Sequence, residues 1–338
     1  MSPILTTFGG GSIKGFSATG GFLPGLYDFR SVRFDAAREG YIGPSLAEIK
    51  NDTTSPTNDP LNWIQNTTYL NSSGGIIRWK VPGTGTYEIT AAGADARVSW
   101  GGYGAWIRAT FSLTEGELIR ILVGQSPSTY SSSNNHSGAG GTFVVKDTNP
   151  TSTNSIIIIS GGGGGAHAMG GVGGVSYQVT PYSGSNANHS STSGNQAEDQ
   201  VQSAGSGGGP GGTQSNGGSG GAGFNATQPS GNSYGSPGYG WSENSNGTNA
   251  GLGGISNHGP ADTANGLGGS SAGFGGGGAH GNTHGGGGGG YSGGAGSVQG
   301  NYIGGGGGSY LGSGASAITR TLNTYTLGGG FVEIHRLS

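Results

Sequence analysis

Six consecutive glycines open the stretch GGGGGGYSGGAGS (285–297), and matching runs occur at 161–165, 275–278 and 304–308. Glycine has no side chain to bury and loses more conformational freedom on ordering than any other residue. A chain with 82 glycines in 338 residues therefore orders only where backbone packs on backbone, or where a separate core holds the glycine segments. Sixty of the 82 lie between residues 161 and 330, so the two requirements are separated along the chain.

Before that zone the sequence has a different character. The segments GIIRWKVP (75–82), GTYEITAAGA (85–94), GAWIRATFSL (104–113), GELIRILVG (116–124), GTFVVKD (141–147) and SIIIIS (155–160) are short and β-branched or aromatic. Gly, Pro, Asn and Ser clusters separate them. Regular short strands with turn signals predict an all-β sandwich or barrel, and no window shows helical periodicity with caps. A further strand is expected in LYDFRSVRF (26–34), ahead of a turn-rich loop at 51–60, NDTTSPTNDP. In GGGFVEIHRL (328–337), Val332, Ile334 and Arg336 share one side of a final strand that returns to the sandwich. The expected organisation is an N-terminal segment at 1–68, the sandwich at 69–160, a glycine-rich insertion at 161–330 and a closing strand at 331–338.

Several functions are excluded by what the glycine zone lacks. Between 161 and 330 the charged residues are Glu198, Asp199, Glu243, Asp262 and Arg320. Gripping a phosphate backbone takes several Lys or Arg contacts, so no nucleic acid partner is expected. Chance G-x-G-x-x-G matches abound, but a phosphate loop needs Gly-Lys-Ser/Thr and this zone has no lysine. G-x-S-x-G occurs at 217–221 and 290–294 without the strand–turn–helix context of a hydrolase elbow. The chain has no cysteine, and no carboxylate pair, catalytic triad or metal cluster stands out. No enzyme activity, cofactor or metal is expected. The longest strongly apolar run, at 156–160, is far too short to span a membrane. The opening residues MSPILTTFGGGSIKGF lack a signal-peptide core, so secretory export is not expected.

Collagen requires glycine strictly every third residue, and GGGGAHGNTHGGGGGG (275–290) breaks that period. A partial threefold beat remains in GGVGGV (170–175), GGPGGT (208–213) and GGSGGA (217–222). A left-handed extended helix with three residues per turn would align those side chains along one edge. Such a helix has no internal hydrogen bonds, so every donor and acceptor must find a neighbouring segment. Composition alone favours disorder over a packed bundle of such helices.

The ordered combination VPGTGTYEITAAGA (81–94), FSLTEGELIRILVGQ (111–125), SIIIISGGGGGA (155–166), GGGGGGYSGG (285–294) and YIGGGGGSY (302–310) resembles a known module. It is similar to the glycine-rich domain of the anaplastic lymphoma kinase and leukocyte tyrosine kinase ectodomains, and to glycine-rich virion proteins of marine bacteriophages. The resemblance spans about residues 26–337. It implies a tumour-necrosis-factor-like, jelly-roll β-sandwich with an inserted bundle of polyglycine II helices. The runs bounded by Gly161 and Gly165, Gly275 and Gly278, Gly285 and Gly290, and Gly304 and Gly308 would be helices of that bundle. Tyr291 would mark the end of one. Kinase function does not carry over, since the chain has no kinase region. The resemblance implies a phage virion protein, most simply a tail-associated adhesin whose loops recognise a host glycan or protein. It would contact other virion proteins, and the fold allows a homotrimer. A capsid decoration or tail-assembly protein, and a secreted ligand-binding module, are the alternatives.

Recognition candidates are Tyr234, Tyr239 and Trp241 in NSYGSPGYGW (232–241), Tyr182 in an earlier glycine-poorer insert, and Tyr130 in the loop SPSTYSSSNNH (126–136). Aromatic rings among hydroxyls and amides give large, rigid contact area at low entropic cost. The other reading is that these rings pack on the glycine bundle as the side chains it lacks. His280 and His284 flank GNT and are expected as surface residues of a turn.

Overall fold

The computed structural model describes residues 25–36, 38–53, 62–96, 101–128, 137–165, 187, 190–194, 204–213, 217–225, 236–241, 251–253, 261–262, 267–268, 271–281, 284–297, 303–323 and 328–338. In chain order these contain β1 (Ser31–Asp35), α1 (Leu46–Asp52), β2 (Leu70–Ser73), β3 (Ile76–Lys80), β4 (Gly85–Ala92), β5 (Ala105–Leu113) and β6 (Leu118–Leu122). They continue with β7 (Thr142–Lys146), β8 (Ile156–Ser160), β9 (Ala261–Asp262), β10 (Leu267–Gly268), β11 (Tyr310–Leu311), β12 (Ser316–Leu322) and β13 (Phe331–Arg336).

Two antiparallel sheets, ordered β1-β13-β4-β5-β12 and β11-β8-β7-β6-β3-β2, make the protein mostly β; β9 and β10 pair only with each other. Each of the six central segments anticipated from β-branched content is a strand. Along β5 the residues Ala105, Ile107, Ala109, Phe111 and Leu113 are buried while Trp106, Arg108 and Thr110 are half-buried. That period of two is what a strand with one face in a core requires. The main core lies between the sheets and includes Trp79, Tyr87, Ile89, Ile119, Ile121, Val144 and Val332.

The middle of the second sheet, β6, β7 and β8, is buried on both faces. Ile157 and Ile158 of β8 belong to the main core, whereas Ile156 and Ile159 join Phe143, Val145 and Leu122 in a second cluster on the other side. The rings that cover this outer face, Phe224, Trp241, Phe274 and Tyr291, all come from the glycine-rich zone. An uninterrupted apolar run such as IIIIS is the sequence form of a strand with no solvent face.

Two expectations are corrected. The helix α1 was not anticipated: Ser45 caps it, its hydroxyl accepting from the Glu48 amide while the Glu48 carboxylate accepts from the Ser45 amide. The Ser-x-x-Glu spacing was the available signal, but two turns are too short to show periodicity. The closing part of the fold also starts before residue 331. Residues 310–322, assigned to the glycine insertion, form β11 and β12, which pair with β8 and β5. The segment SAITRTL is β-branched and free of glycine, so it pairs as a strand.

One end of the antiparallel sandwich adjoins the glycine zone. β4 runs into residues 93–96 and β6 into 123–128; β5, β7 and β13 start from the same end, and β8 runs directly into 161–165. At the opposite end lie Gly25, beside Pro82, and Ser338, whose hydroxyl accepts from the Thr86 amide.

Candidate functional site

The run at 285–290 is the centre of the glycine zone, and its hydrogen bonds go outward without exception among those observed. The amides of Gly287, Gly288, Gly289 and Gly290 donate to Ser219, Gly305, Ala139 and Ala222. The carbonyls of Gly285 through Gly289 accept in turn from Ser297, Gly165, Gly278, Gly294 and Gly162. Six segments therefore surround it: 137–141, 161–165, 217–223, 277–279, 293–297 and 304–308.

The bonds repeat every third residue. Gly287 and Gly290 both reach the segment containing Ser219 and Ala222; Gly285 and Gly288 share the one containing Ser297 and Gly294; Gly286 and Gly289 share the one containing Gly165 and Gly162. The surrounding segments repeat the pattern. Gly304 and Gly307 donate to Gly165 and Gly162, and Ser219 and Ala222 donate to Ala279 and Gly276. The donors and acceptors that glycine leaves bare are thus satisfied between segments of the chain, as burial demands.

Side chains are excluded by distance. A Cβ on Gly288 would fall 2.1 Å from the Gly162 carbonyl oxygen, and one on Gly287 would fall 2.0 Å from that of Gly294. Gly161, Gly165, Gly278, Gly285, Gly290, Gly304 and Gly308 all lie buried in this network. Gly275 differs: its φ is +107° and that of Gly276 is +83°, so the run 275–278 opens as a turn, while the Gly275 and Gly276 carbonyls accept from Gly141 and Ala222.

The sandwich contributes to the same assembly. Ala94 accepts from Gly163, Ala139 donates to Gly163, Gly102 donates to Gly164, and Ala105 donates to Gly161. These strand-end loops precede residue 161, where the sequence reading placed the start of the glycine zone. Their Gly-Ala composition (GAD at 93–95, SGAG at 137–140) was the signal for them.

Trp241 is 1% exposed. It stacks on Phe143 and Phe224 with centroids 5.4 and 6.3 Å away, and its indole N–H donates to the Pro150 carbonyl at 2.6 Å. A ring held this way is not presented to a partner, so Trp241 is a packing residue and not a surface contact. Tyr291 is likewise buried, its ring 4.5 Å from that of Tyr310, where the central run bends at residues 290–292. Tyr239 remains half-buried at the surface, its amide donating to Leu252. Tyr130, Tyr182 and Tyr234 lie outside the described residues.

His280 and His284, expected on the surface, are buried at 2% and 4% exposure. The His280 ring nitrogen Nδ1 sits 2.7 Å from the Gly281 carbonyl, and the Gly281 amide donates to the His284 carbonyl. Among the described residues no group of three metal-ligating side chains occurs, and no helix is long and apolar enough to cross a membrane.

One buried acid had no signal in the sequence. Asp95, at the junction of β4 with the glycine zone, is 4% exposed, and burial raises its carboxyl to about 7 against the opposing effect of the Gly104 and Gly328 backbone groups. Comparison with known proteins gives no assignment: no family model and no curated protein matches the chain.

Proposed function

We propose that the protein is a bacteriophage virion component, a tail-associated adhesin whose host-recognising loops are held on a rigid glycine bundle. The observation that carries this reading is the central run at 285–290, bonded to six neighbouring segments with a repeat of three residues. Three residues per turn without internal hydrogen bonds is the geometry of a polyglycine II helix. On this reading the glycine runs are rods of such a bundle, and the sandwich is of the jelly-roll, tumour-necrosis-factor-like kind. The glycine runs gather at the end of the sandwich away from Gly25 and Ser338. Loops fixed in place bind without a large ordering cost. The resemblance to glycine-rich virion proteins supplies the setting. Other virion proteins and a host-surface glycan or protein are the partners, and a homotrimer is compatible with the sandwich.

The test is adsorption. Purified protein should bind cells of a susceptible host, and deletion of residues 226–235 or 242–250 should abolish binding while the sandwich stays folded. Gold-labelled antibody should mark the tail of intact particles. Label on the capsid would indicate a decoration protein, and undiminished binding by both deletions would remove the loops from recognition.

A further inference from the structure

Asp95 stands where four crossings between sandwich and bundle meet. Its amide donates to the Gly328 carbonyl at 2.8 Å, and its own carbonyl accepts from the Ser126 hydroxyl at 2.9 Å. Ala94 beside it donates to Gly140 and accepts from Gly163, and Ala96 donates to Gly102. Residues 101–104, 123–128, 137–141, 161–165 and 328–330 are thereby tied through three consecutive residues, Ala94, Asp95 and Ala96. Asn323 reaches the same point, its amide donating to Gly104 and its side-chain nitrogen to Gly93.

The carboxyl group itself is poorly provided for. Oδ1 accepts from the Gly104 amide at 2.7 Å, while Oδ2 is buried without a hydrogen-bond partner. Apart from Asp95 itself and Tyr103, the described residues of the packed segments are Gly, Ala, Val, Ser, Gln, Asn and Pro. Tyr103 is their one titratable side chain, and it is exposed. Arg97, the nearest charged residue along the chain, lies outside the described residues. A buried carboxylate with no cation beside it among the described residues and only backbone groups to stabilise it is costly, whereas the neutral acid loses far less on burial.

We propose that Asp95 is a proton-operated latch on the neck of the molecule: neutral, it lets the crossings close and ties the bundle to the sandwich; ionised, it drives the neck to open and admit water. The sign follows from the direction of the shift. The carboxyl is harder to ionise closed than open, so each proton lost favours the open neck. The latch is strongest in acid, weakens as pH rises from the ordinary carboxylate range, and changes no further above about 7. This device does not depend on what the loops bind.

Hydrogen exchange of the whole protein, corrected for the intrinsic rate at each pH, tests it. Opening at residues 93–96, 101–104 and 161–165 should increase roughly tenfold per pH unit between pH 5 and 7 and then level off. Exchange within β3 and β6, far from the neck, should not follow. In Asp95→Asn the rise should vanish. An equal rise in that variant, or none in the wild type, overturns the proposal. Should the variant not fold, the carboxyl carbon resonance of Asp95 in the wild type decides: titration near neutrality supports the latch, and titration with the ordinary aspartates overturns it.

Discussion

Replacing Gly288 by alanine tests whether close backbone contact is what orders the glycine zone. The added methyl would sit 2.1 Å from the Gly162 carbonyl oxygen, 2.8 Å from its carbonyl carbon and 2.9 Å from the Gly163 oxygen. All three are backbone atoms in a segment tied on several sides, so no side chain can swing aside. Ordinary carbon–oxygen contact requires about 1 Å of separation between the two runs, a shift that overpacking generally makes costly. The bonds from Gly162 to Gly289 and from Gly165 to Gly286, both 2.8 Å, span the same gap and would be lost or badly stretched. A buried donor left unsatisfied costs about 1–3 kcal/mol, so two give ~2–6 kcal/mol. Alanine's smaller unfolded-state entropy offsets about 0.4–1 kcal/mol of that. The net loss, ~1–6 kcal/mol, is to be set against the ~5–15 kcal/mol that holds a typical protein folded. Denaturant unfolding of Gly288→Ala should show it, against Gly209→Ala as control, where a Cβ meets only the Ser206 oxygen at 3.1 Å. If the two variants lose equal stability, close packing of the central run is not what holds the bundle together.

Three further outcomes are expected. Trp241→Ala removes a ring stacked between Phe143 and Phe224 and the bond to Pro150; it should cost ~3–5 kcal/mol and be visible as lost near-ultraviolet dichroism. Ser45→Ala breaks the reciprocal cap of α1 and should cost about 1 kcal/mol in denaturant unfolding, with no effect on the bundle. Asp95→Asn should raise thermal stability at pH 8, where the wild type carries the full burden of ionisation. The wild-type value of about 7 against an unfolded value of ~3.9 sets an upper bound of about 4 kcal/mol. The difference should shrink as the pH falls below 7 and vanish near 4; a constant difference across that range would contradict a buried acid.

The strands were readable because their signal is local. Alternation in β5 and β4, turn residues between segments and β-branched content all lie within a few residues of each other. The paired side chains Val332 and Ile334 likewise announced β13 as a core strand, and both are buried. The helix α1 was missed because two turns are too short to show a helical period, and β12 because Ser316–Leu322 is mostly exposed and has no buried face to alternate with a polar one. Trp241 illustrates the other limit. A tryptophan among Ser, Asn and Gly reads equally well as a contact residue or as a buried one, and its neighbours Phe143 and Phe224 are 98 and 17 residues away in the chain.

The glycine runs mark the boundary between the two kinds of information. By itself the sequence determined that residues 285–290 can hold no side chain, bear no charge and form no phosphate loop. It also confined any partner for their backbone to other segments. Which segments those are was decided only in three dimensions, because a glycine carries no mark that distinguishes one neighbour from another. The sandwich makes the choice: β4, β5, β6, β7 and β8 deliver their ends to one place, and around the central run six backbones meet closely enough to satisfy one another's amides and carbonyls. Asp95 is charged to the same account of geometry, since an aspartate becomes a buried acid only when Gly104, Ser126 and Gly328, remote along the chain, close around it.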